Sequence, residues 1–303
     1  MMAEEVPLRT FELAEAHELR CETDFGATIT VQVRLLSFST FWHRPRTRAG
    51  ADGAKQLLKG TAEIFGTELA LNGLYTFTGG DRLAVFTYHG CTVQIQGVLA
   101  VDYIAEDTPM LMYLNLHLAL DAIRQKAMAA MANQQLFDQG PRVLIAGPFA
   151  AGKTSLCRIL LNYAVKMGRN PLHVDMDVTE NAVLPGTLSA YQVTKPLSLE
   201  DAIPPSDMPS IAFFYGHATP TENRKMYEKN LLRLAETVRL KMDQDRHCTT
   251  LLFSPNRCLF LSRSFFSDKP KIKKSECIGS CAGHDQLAKR RDNGPVAIGD
   301  RAL

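Results

Sequence analysis

Gly147-Pro148-Phe149-Ala150-Ala151-Gly152-Lys153-Thr154 has the spacing G-x-x-x-x-G-K-[ST] of a loop that wraps a phosphate chain. The glycines let the backbone curl so that successive N–H groups point inward. A helix opening at Thr154 adds positive potential where phosphate sits. Lys153 reaches the β- and γ-phosphates in such a loop, and the Thr154 hydroxyl holds Mg²⁺. The chemistry implied is ATP binding with Mg²⁺. A loop of this kind does not name the reaction, which needs a second anionic group for metal or base. Asp177 is the candidate, at the C-terminal end of the next strand-like run, where ligands collect in open α/β sheets. It serves there as a Mg²⁺ ligand or as the acceptor of a proton from an attacking hydroxyl. Asp175 shares its side of the strand by period two.

The elements that position these residues are legible around them. Arg142–Ala146 is a short apolar run, like a buried parallel strand, and Thr154–Lys166 reads as a helix with Gly168 at its C-cap. Pro171–Asp177 and Pro209–Tyr215 read as further strands, and Glu222 to about Lys241 as an amphipathic helix with Leu231, Leu232, Leu234, Ala235 and Val238 apolar. Strands alternating with helices imply a parallel sheet. Upstream, residues 109–135 read as a helix capped by Thr108, with Leu111, Tyr113, Leu114, Leu118 and Ile123 on a broad apolar face. Residues 1–107 read as β: Thr28–Val33, Leu83–Tyr88 and Thr92–Gln96 alternate, with turn signals between them. Several short strands at that spacing suggest a small sandwich or barrel. The fold expected is thus an α/β P-loop kinase domain, a parallel sheet with flanking helices over 108–250, preceded by an all-β sandwich domain over 1–107.

Two tracts break this pattern. Residues 37–55 are basic, aperiodic and contain the single Trp; residues 251–303 are rich in Gly, Ser and Cys. The second reads as a divergent basic tail, although 251–266 could fill a place in the sheet. Cys258, Cys277, Cys281 and His284 have the element types of a zinc site but not the spacing of one. Lys269–Lys274 reads as a solvated basic stretch.

The chain has 303 residues, 46% hydrophobic and 22% charged, with a net charge of +2. These are globular values that exclude wholesale disorder and the footprint of a bulk polyanion binder. No stretch approaches a membrane span, and the acidic N-terminus carries no apolar signal segment. Seven irregularly spaced cysteines suit reduced thiols in a nuclear or cytosolic chain.

Collinear motifs then point to a family. They include Phe11-Glu12-Leu13 with Glu18-Leu19-Arg20, Thr61–Leu69 (TAEIFGTEL), Ala84–Cys91 (AVFTYHGC), Asp107–Leu111 (DTPML), Gly140-Pro141-Arg142, Arg158–Val165 (RILLNYAV), Asp177-Val178, Pro185-Gly186-Thr187 and Gly216-His217. Over about residues 8–36 and 57–245 the chain resembles the eukaryotic polyribonucleotide 5′-hydroxyl kinases, a family that supplies the kinase subunit of the pre-mRNA cleavage factor and associates with the tRNA splicing endonuclease. The resemblance implies transfer of the γ-phosphate of ATP to the 5′-hydroxyl of RNA, in the nucleus, with subunits of those two complexes as partners. It implies that Glu18 and Arg82 contact ATP from the N-terminal domain. Ala150, Ala151, Gly152, Lys153, Thr154 and Ser155 match the phosphate loop, and Asp177 matches the acidic residue serving Mg²⁺ or the attacking hydroxyl.

The chain departs from the family pattern in places. Phe149-Ala150-Ala151 replaces a Thr-Asp-Val run, and Thr179-Glu180 stands where the family has Gly-Gln. After about residue 245 the resemblance stops, with the lid and the C-terminal domain missing. Two other functions follow from these departures: an inactive ATP-binding scaffold in mRNA 3′-end processing, or a P-loop NTPase acting as a switch.

Overall fold

The structure is a computed structural model describing residues 7–24, 26–34, 61–132, 140–148, 151–179, 183, 185–199, 208–244 and 248–253. The irregular tract 37–55, the cysteines and His284 weighed for zinc, and Lys269–Lys274 lie outside the described residues. Everything described belongs to one compact unit, Met1–Leu261.

Nine strands come first among the described residues: β1 (Leu8–Leu13), β2 (Glu18–Thr23), β3 (Ile29–Arg34), β4 (Ala62–Ile64), β5 (Thr67–Glu68), β6 (Leu74–Phe77), β7 (Arg82–Thr87), β8 (Cys91–Gln96) and β9 (Leu99–Ala105). They pair antiparallel into two sheets, ordered β1-β8-β3-β6 and β5-β4-β7-β2-β9. Alternation sends one side chain in two inward, so Leu13, Val31, Val93 and Ile95 of the first sheet meet Leu19, Ile64 and Val85 of the second in one core. The expected β-sandwich is therefore present.

Helix α1 (Met110–Ala132) follows. Thr108 caps it, its Oγ1 accepting from the Met110 N–H at 3.3 Å. The face it buries differs from the one expected. Leu111, Leu118 and Ile123 are exposed, while Met110, His117, Leu120, Asp121, Arg124 and Ala127 are buried. Asp121 is tolerated inside because it accepts a hydrogen bond from Arg169 Nε at 3.0 Å.

The second half comprises β10 (Arg142–Ile145), α2 (Lys153–Lys166), β11 (Asn170–Asp175), β12 (Thr187–Gln192), β13 (Ser210–Phe214), α3 (Arg224–Gln244) and β14 (Cys248–Phe253). Its sheet is ordered β10-β14-β11-β12-β13. The ladders β10–β14 and β14–β11 are parallel, as the β/α alternation demands. β12, which has no counterpart among the strands expected from sequence, adds two antiparallel ladders, to β11 and to β13. The boundary drawn at residue 250 falls inside β14. That strand fills the slot between β10 and β11, so the sheet runs to Phe253, and residues 251–253 of the tract that could fill a place in it do so. Helix α2 ends as expected around Gly168, whose N–H donates to Val165 O while Arg169 N–H donates to Ala164 O.

Helix α2 ties the two halves together. Asn162, fully buried, donates through Nδ2 to Phe65 O (2.8 Å) and Thr67 Oγ1 (2.9 Å) in the β4–β5 hairpin, and its Oδ1 accepts from Leu197 N–H (2.8 Å). Asn162→Ala leaves a carbonyl and an amide without partners inside the protein. It is expected to cost about 3 kcal/mol of stability, read by urea denaturation.

His173 on β11 is buried with its ring edge against Tyr191, centroids 4.8 Å apart. Burial pushes its pKa from 6.5 down to about 4. Above pH 6.5 both folded and unfolded forms are neutral and the group is silent. Below it the unfolded chain takes up a proton that the folded chain refuses, so stability falls as pH drops toward 4. The expected loss is about 2 kcal/mol between pH 6.5 and 5, at roughly 1.4 kcal/mol per unit, and His173→Phe should flatten that slope in pH-dependent denaturation.

Candidate functional site

β10 delivers the chain to the C-terminal edge of the sheet, where Gly147 begins the loop. Lys153 Cγ and Cδ would lie 3.8 Å from a Cβ placed at Gly147, so the lysine stem runs beside the strand exit. Gly152 closes the loop at φ +77°, a left-handed conformation that L side chains rarely adopt, and stands directly before α2. Among the described residues no side chain caps this helix, and no acid lies in its first turn. A helix start leaves its first N–H groups without intrahelical partners, which makes this end an anion site. Lys153 is buried and its Nζ donates to Pro148 O at 2.6 Å, across the curl of the loop. Ala151 and Thr154 are exposed and Ser155 is half-buried. Phe149 and Ala150 lie outside the described residues.

A cavity of about 330 Å³ opens beside this helix start. Glu18, Arg20 and Arg82 of the β-sandwich line it together with Tyr113 of α1, Gly152 of the loop and Ser155 of α2. Residues far apart in sequence thus share one space, and the two sandwich residues picked out by resemblance are among them. Their environments differ. Glu18 is buried and both its oxygens are engaged: Arg20 Nε donates to Oε1 at 2.7 Å, and the Thr108 hydroxyl donates to Oε2. Arg82 is largely exposed, with Nη2 3.2 Å from Glu22 Oε1. A nucleotide reaching Glu18 therefore meets an ion pair already formed.

Several residues of the cavity wall have no role that the sequence alone suggests. Arg20 donates through Nη2 to Asp107 O at 3.1 Å, and the Tyr103 hydroxyl, with Glu18, lifts its guanidinium above its usual range. Cys21 is buried, which raises its thiol to about 12 and leaves it an inert wall. Glu63 is held by the Tyr163 hydroxyl, which in turn lies 2.9 Å from the Tyr88 hydroxyl. Burial and Glu63 together raise the Tyr163 pKa. Glu63 lies within the Thr61–Leu69 motif, but spacing alone does not show that it faces α2.

Asp177 lies elsewhere along the same sheet edge, two residues beyond β11. β10 and β11 are parallel with β14 between them, so their C-terminal ends share that edge. Asp175 and Asp177 are both buried. Because β11 ends at Asp175, the period-two relation gives way to a turn. Asp177 N–H donates to Asp175 Oδ1 at 3.0 Å, and Asp177 Oδ1 accepts from Thr179 N–H at 2.9 Å. The Tyr227 hydroxyl donates to Met176 O at 3.1 Å, and burial, with Asp177 and Asp175 nearby, raises its pKa. The Thr154 hydroxyl and the Asp177 carboxylate are hard oxygen donors, the chemistry that suits Mg²⁺. Glu180, next to this turn, lies outside the described residues.

Among the described residues Cys21, Cys91 and Cys157 are free and buried. No helix among them is long and apolar enough to cross a membrane.

Comparison with known proteins agrees with this architecture. A family model describing the N-terminal β-sandwich domain of polyadenylation factor matches residues 46–127. A second, for the P-loop of the mRNA cleavage and polyadenylation factor CLP1, matches residues 147–252, which includes most of β14. The protein CLP1 homolog of Anopheles gambiae is 40% identical over 212 residues, covering 70% of this chain and 48% of the relative. The polyribonucleotide 5′-hydroxyl-kinase Clp1 of Homo sapiens is 37% identical over 253 residues, covering 83% of this chain and 52% of the relative. The chain thus spans about half the length of the relatives it matches. A solved structure of a wild-type Clp1p–Pcf11p complex superposes with a TM-score of 0.62 at 21% identity, over 82% of this chain and 54% of that one, and shows the same fold. With a phosphate-binding loop beside a cavity walled by the β-sandwich, and with both family models matched in order along it, the chain belongs to the Clp1 family of mRNA cleavage and polyadenylation factors.

Proposed function

We propose that this chain binds ATP with Mg²⁺ and transfers the γ-phosphate to the 5′-hydroxyl of RNA. The observation that carries the reading is the shared cavity: the start of α2 at Gly152 and Ser155 faces Glu18 and Arg82. Phosphates resting on the helix start leave the nucleoside to the β-sandwich side. In this reading Lys153 turns from Pro148 O to the β- and γ-phosphates, and Gly147 and residues 150–152 supply the curled backbone. Thr154 and Asp177 hold Mg²⁺, which neutralises charge developing on the transferred group. Asp177 is alternatively the base that takes the proton of the attacking hydroxyl, so that the oxygen bonds phosphorus as the bond to ADP breaks. Relatives named polyribonucleotide 5′-hydroxyl-kinase support the reaction. Clp1p solved with Pcf11p supports a cleavage-factor subunit as a partner. RNA processing in the nucleus, with the tRNA splicing endonuclease as a second association, completes the proposal.

The test is transfer of labelled γ-phosphate to a 5′-hydroxyl oligoribonucleotide by the full chain, beside ATP-dependent thermal stabilisation. Transfer supports the kinase. Stabilisation without transfer or ATP turnover leaves the scaffold, an outcome that the altered loop Phe149-Ala150-Ala151 would explain. ATP turnover independent of RNA leaves the switch.

A further inference from the structure

Strand β2 presents a row of charged side chains to the cavity. Alternation turns Leu19 and Cys21 into the sandwich core and leaves Glu18, Arg20 and Glu22 on the face that lines the cavity. The register sets what stands beside each. Glu22 lies opposite Arg82 of β7, with which it pairs at the exposed rim. Glu18 has only Phe86 of β7 and Ala105 of β9 across its two ladders. Its charge is therefore met from its own strand, by Arg20, with Nε 2.7 Å from Oε1.

Arg20 is itself fixed from several sides. It lies opposite Tyr103 of β9, with Nη1 3.5 Å from the Tyr103 hydroxyl and the guanidinium carbon 5.9 Å from the ring centroid. Nη2 donates to Asp107 O at 3.1 Å, in the turn that leads into α1. The next residue, Thr108, donates its hydroxyl to Glu18 Oε2. A planar fork can reach a carboxylate, a phenol and a carbonyl together, which a single ammonium does less well.

Both oxygens of Glu18 are thus aimed before any ligand arrives. An ionised carboxylate has about four acceptor sites, so about two remain open beyond those that Arg20 and Thr108 use. A carboxylate only accepts, so what it takes from a nucleotide must be a donor. Ionised phosphates offer none; the ribose hydroxyls and the adenine amine do. Without Arg20 the same buried carboxylate would be an uncompensated charge beside a polyphosphate.

We infer that Arg20 is a positioning residue, holding Glu18 ionised and oriented to accept a hydrogen bond from the nucleoside of ATP, at a ribose hydroxyl or the base amine. This deepens the ATP-binding part of the proposed function and rests on it. The phosphates are left to Gly152 and Lys153.

The test is calorimetric titration of the full chain with ATP and, separately, with inorganic tripolyphosphate, which probes the phosphate loop alone. The intact chain should bind ATP more tightly than tripolyphosphate. Arg20→Ala should weaken ATP roughly 10- to 150-fold, the range of one hydrogen bond to a charged group, and leave tripolyphosphate unchanged. Arg20→Lys keeps the charge and should recover part of the loss. In a Glu18→Gln background Arg20→Ala should have little further effect, because the two residues act as one unit. Of 2′-deoxy-ATP, 3′-deoxy-ATP and purine riboside triphosphate, the analogue short of the donor that Glu18 takes should bind the intact chain as weakly as ATP binds Glu18→Gln. Equal loss of both ligands in Arg20→Ala would make Arg20 a prop of the fold and overturn the inference. So would a loss that adds in full to that of Glu18→Gln, or three analogues that all bind like ATP. In each of those cases ATP binding by the intact chain leaves the nucleotide reading standing; an intact chain that binds neither ligand sinks both.

Discussion

Replacing Lys153 by alanine is expected to abolish ATP-dependent stabilisation and to lower phosphate transfer at least about a hundredfold, the loss typical when one preorganised donor to developing charge is removed. The geometry makes this a test of the loop rather than of the fold. Lys153 is buried, and its ammonium donates to the loop carbonyl of Pro148. The helix start it belongs to is set by Gly152, and Leu156 N–H already bonds Gly152 O at 2.9 Å without the lysine side chain. Nucleotide that binds only the folded state stabilises it by RT ln(1 + [L]/Kd), about 2.7 kcal/mol at a ligand concentration one hundred times Kd. If the variant binds a hundred times more weakly, the same concentration contributes only about 0.4 kcal/mol. Thermal melts with and without ATP would show this directly, with melts in the absence of nucleotide as the control for folding. Equal stabilisation in the two proteins would place the nucleotide away from this loop, and the cavity shared with Glu18 and Arg82 would lose its assigned ligand.

Local chemistry is legible in the sequence, and tertiary choices are not. The loop can be read because each position has a narrow requirement: a residue that tolerates φ +77° at 152, an ammonium at 153, a hydroxyl at 154. The cap of α1 by Thr108 and the end of α2 at Gly168 are legible for the same reason. β12 escapes a reading by pattern because Thr187–Gln192 is buried at every position, so it shows no alternation and mixes Thr, Ser and Gln with apolar residues. It lies inside the sheet, with an antiparallel ladder on both sides. The face of α1 differs from expectation because periodicity ranks apolar stripes without knowing the partner. Here Arg169, from the turn after α2, reaches Asp121, so a stripe carrying His117, Asp121 and Arg124 turns inward. Composition likewise suggests a boundary at 250, whereas the open slot between β10 and β11 takes Cys248–Phe253. Glu18 and Arg82 have no local signature. Resemblance alone singles them out, and only the packing of the sandwich beside α2 explains why two β-strand residues should concern a phosphate loop.

Asp177→Asn separates binding from chemistry. Asparagine keeps the size of the side chain and an oxygen to accept the Thr179 N–H, so the turn after β11 should persist. Asp175, which accepts the Asp177 N–H, is untouched. What disappears is the negative charge. ATP-dependent stabilisation measured without divalent metal should therefore match the intact chain. Transfer to a 5′-hydroxyl oligoribonucleotide should fall by about 10² to 10⁴, the span that a positioned acid or base supplies. The residual activity distinguishes the two roles proposed for this carboxylate. A metal ligand lost at 177 should raise the Mg²⁺ concentration needed for half-maximal transfer, because Thr154 would be left as the other proposed protein oxygen on the ion. A lost base should leave that concentration unchanged, and residual transfer should rise with pH as hydroxide takes over deprotonation of the ribose hydroxyl. Unimpaired transfer in Asp177→Asn would remove this carboxylate from the reaction.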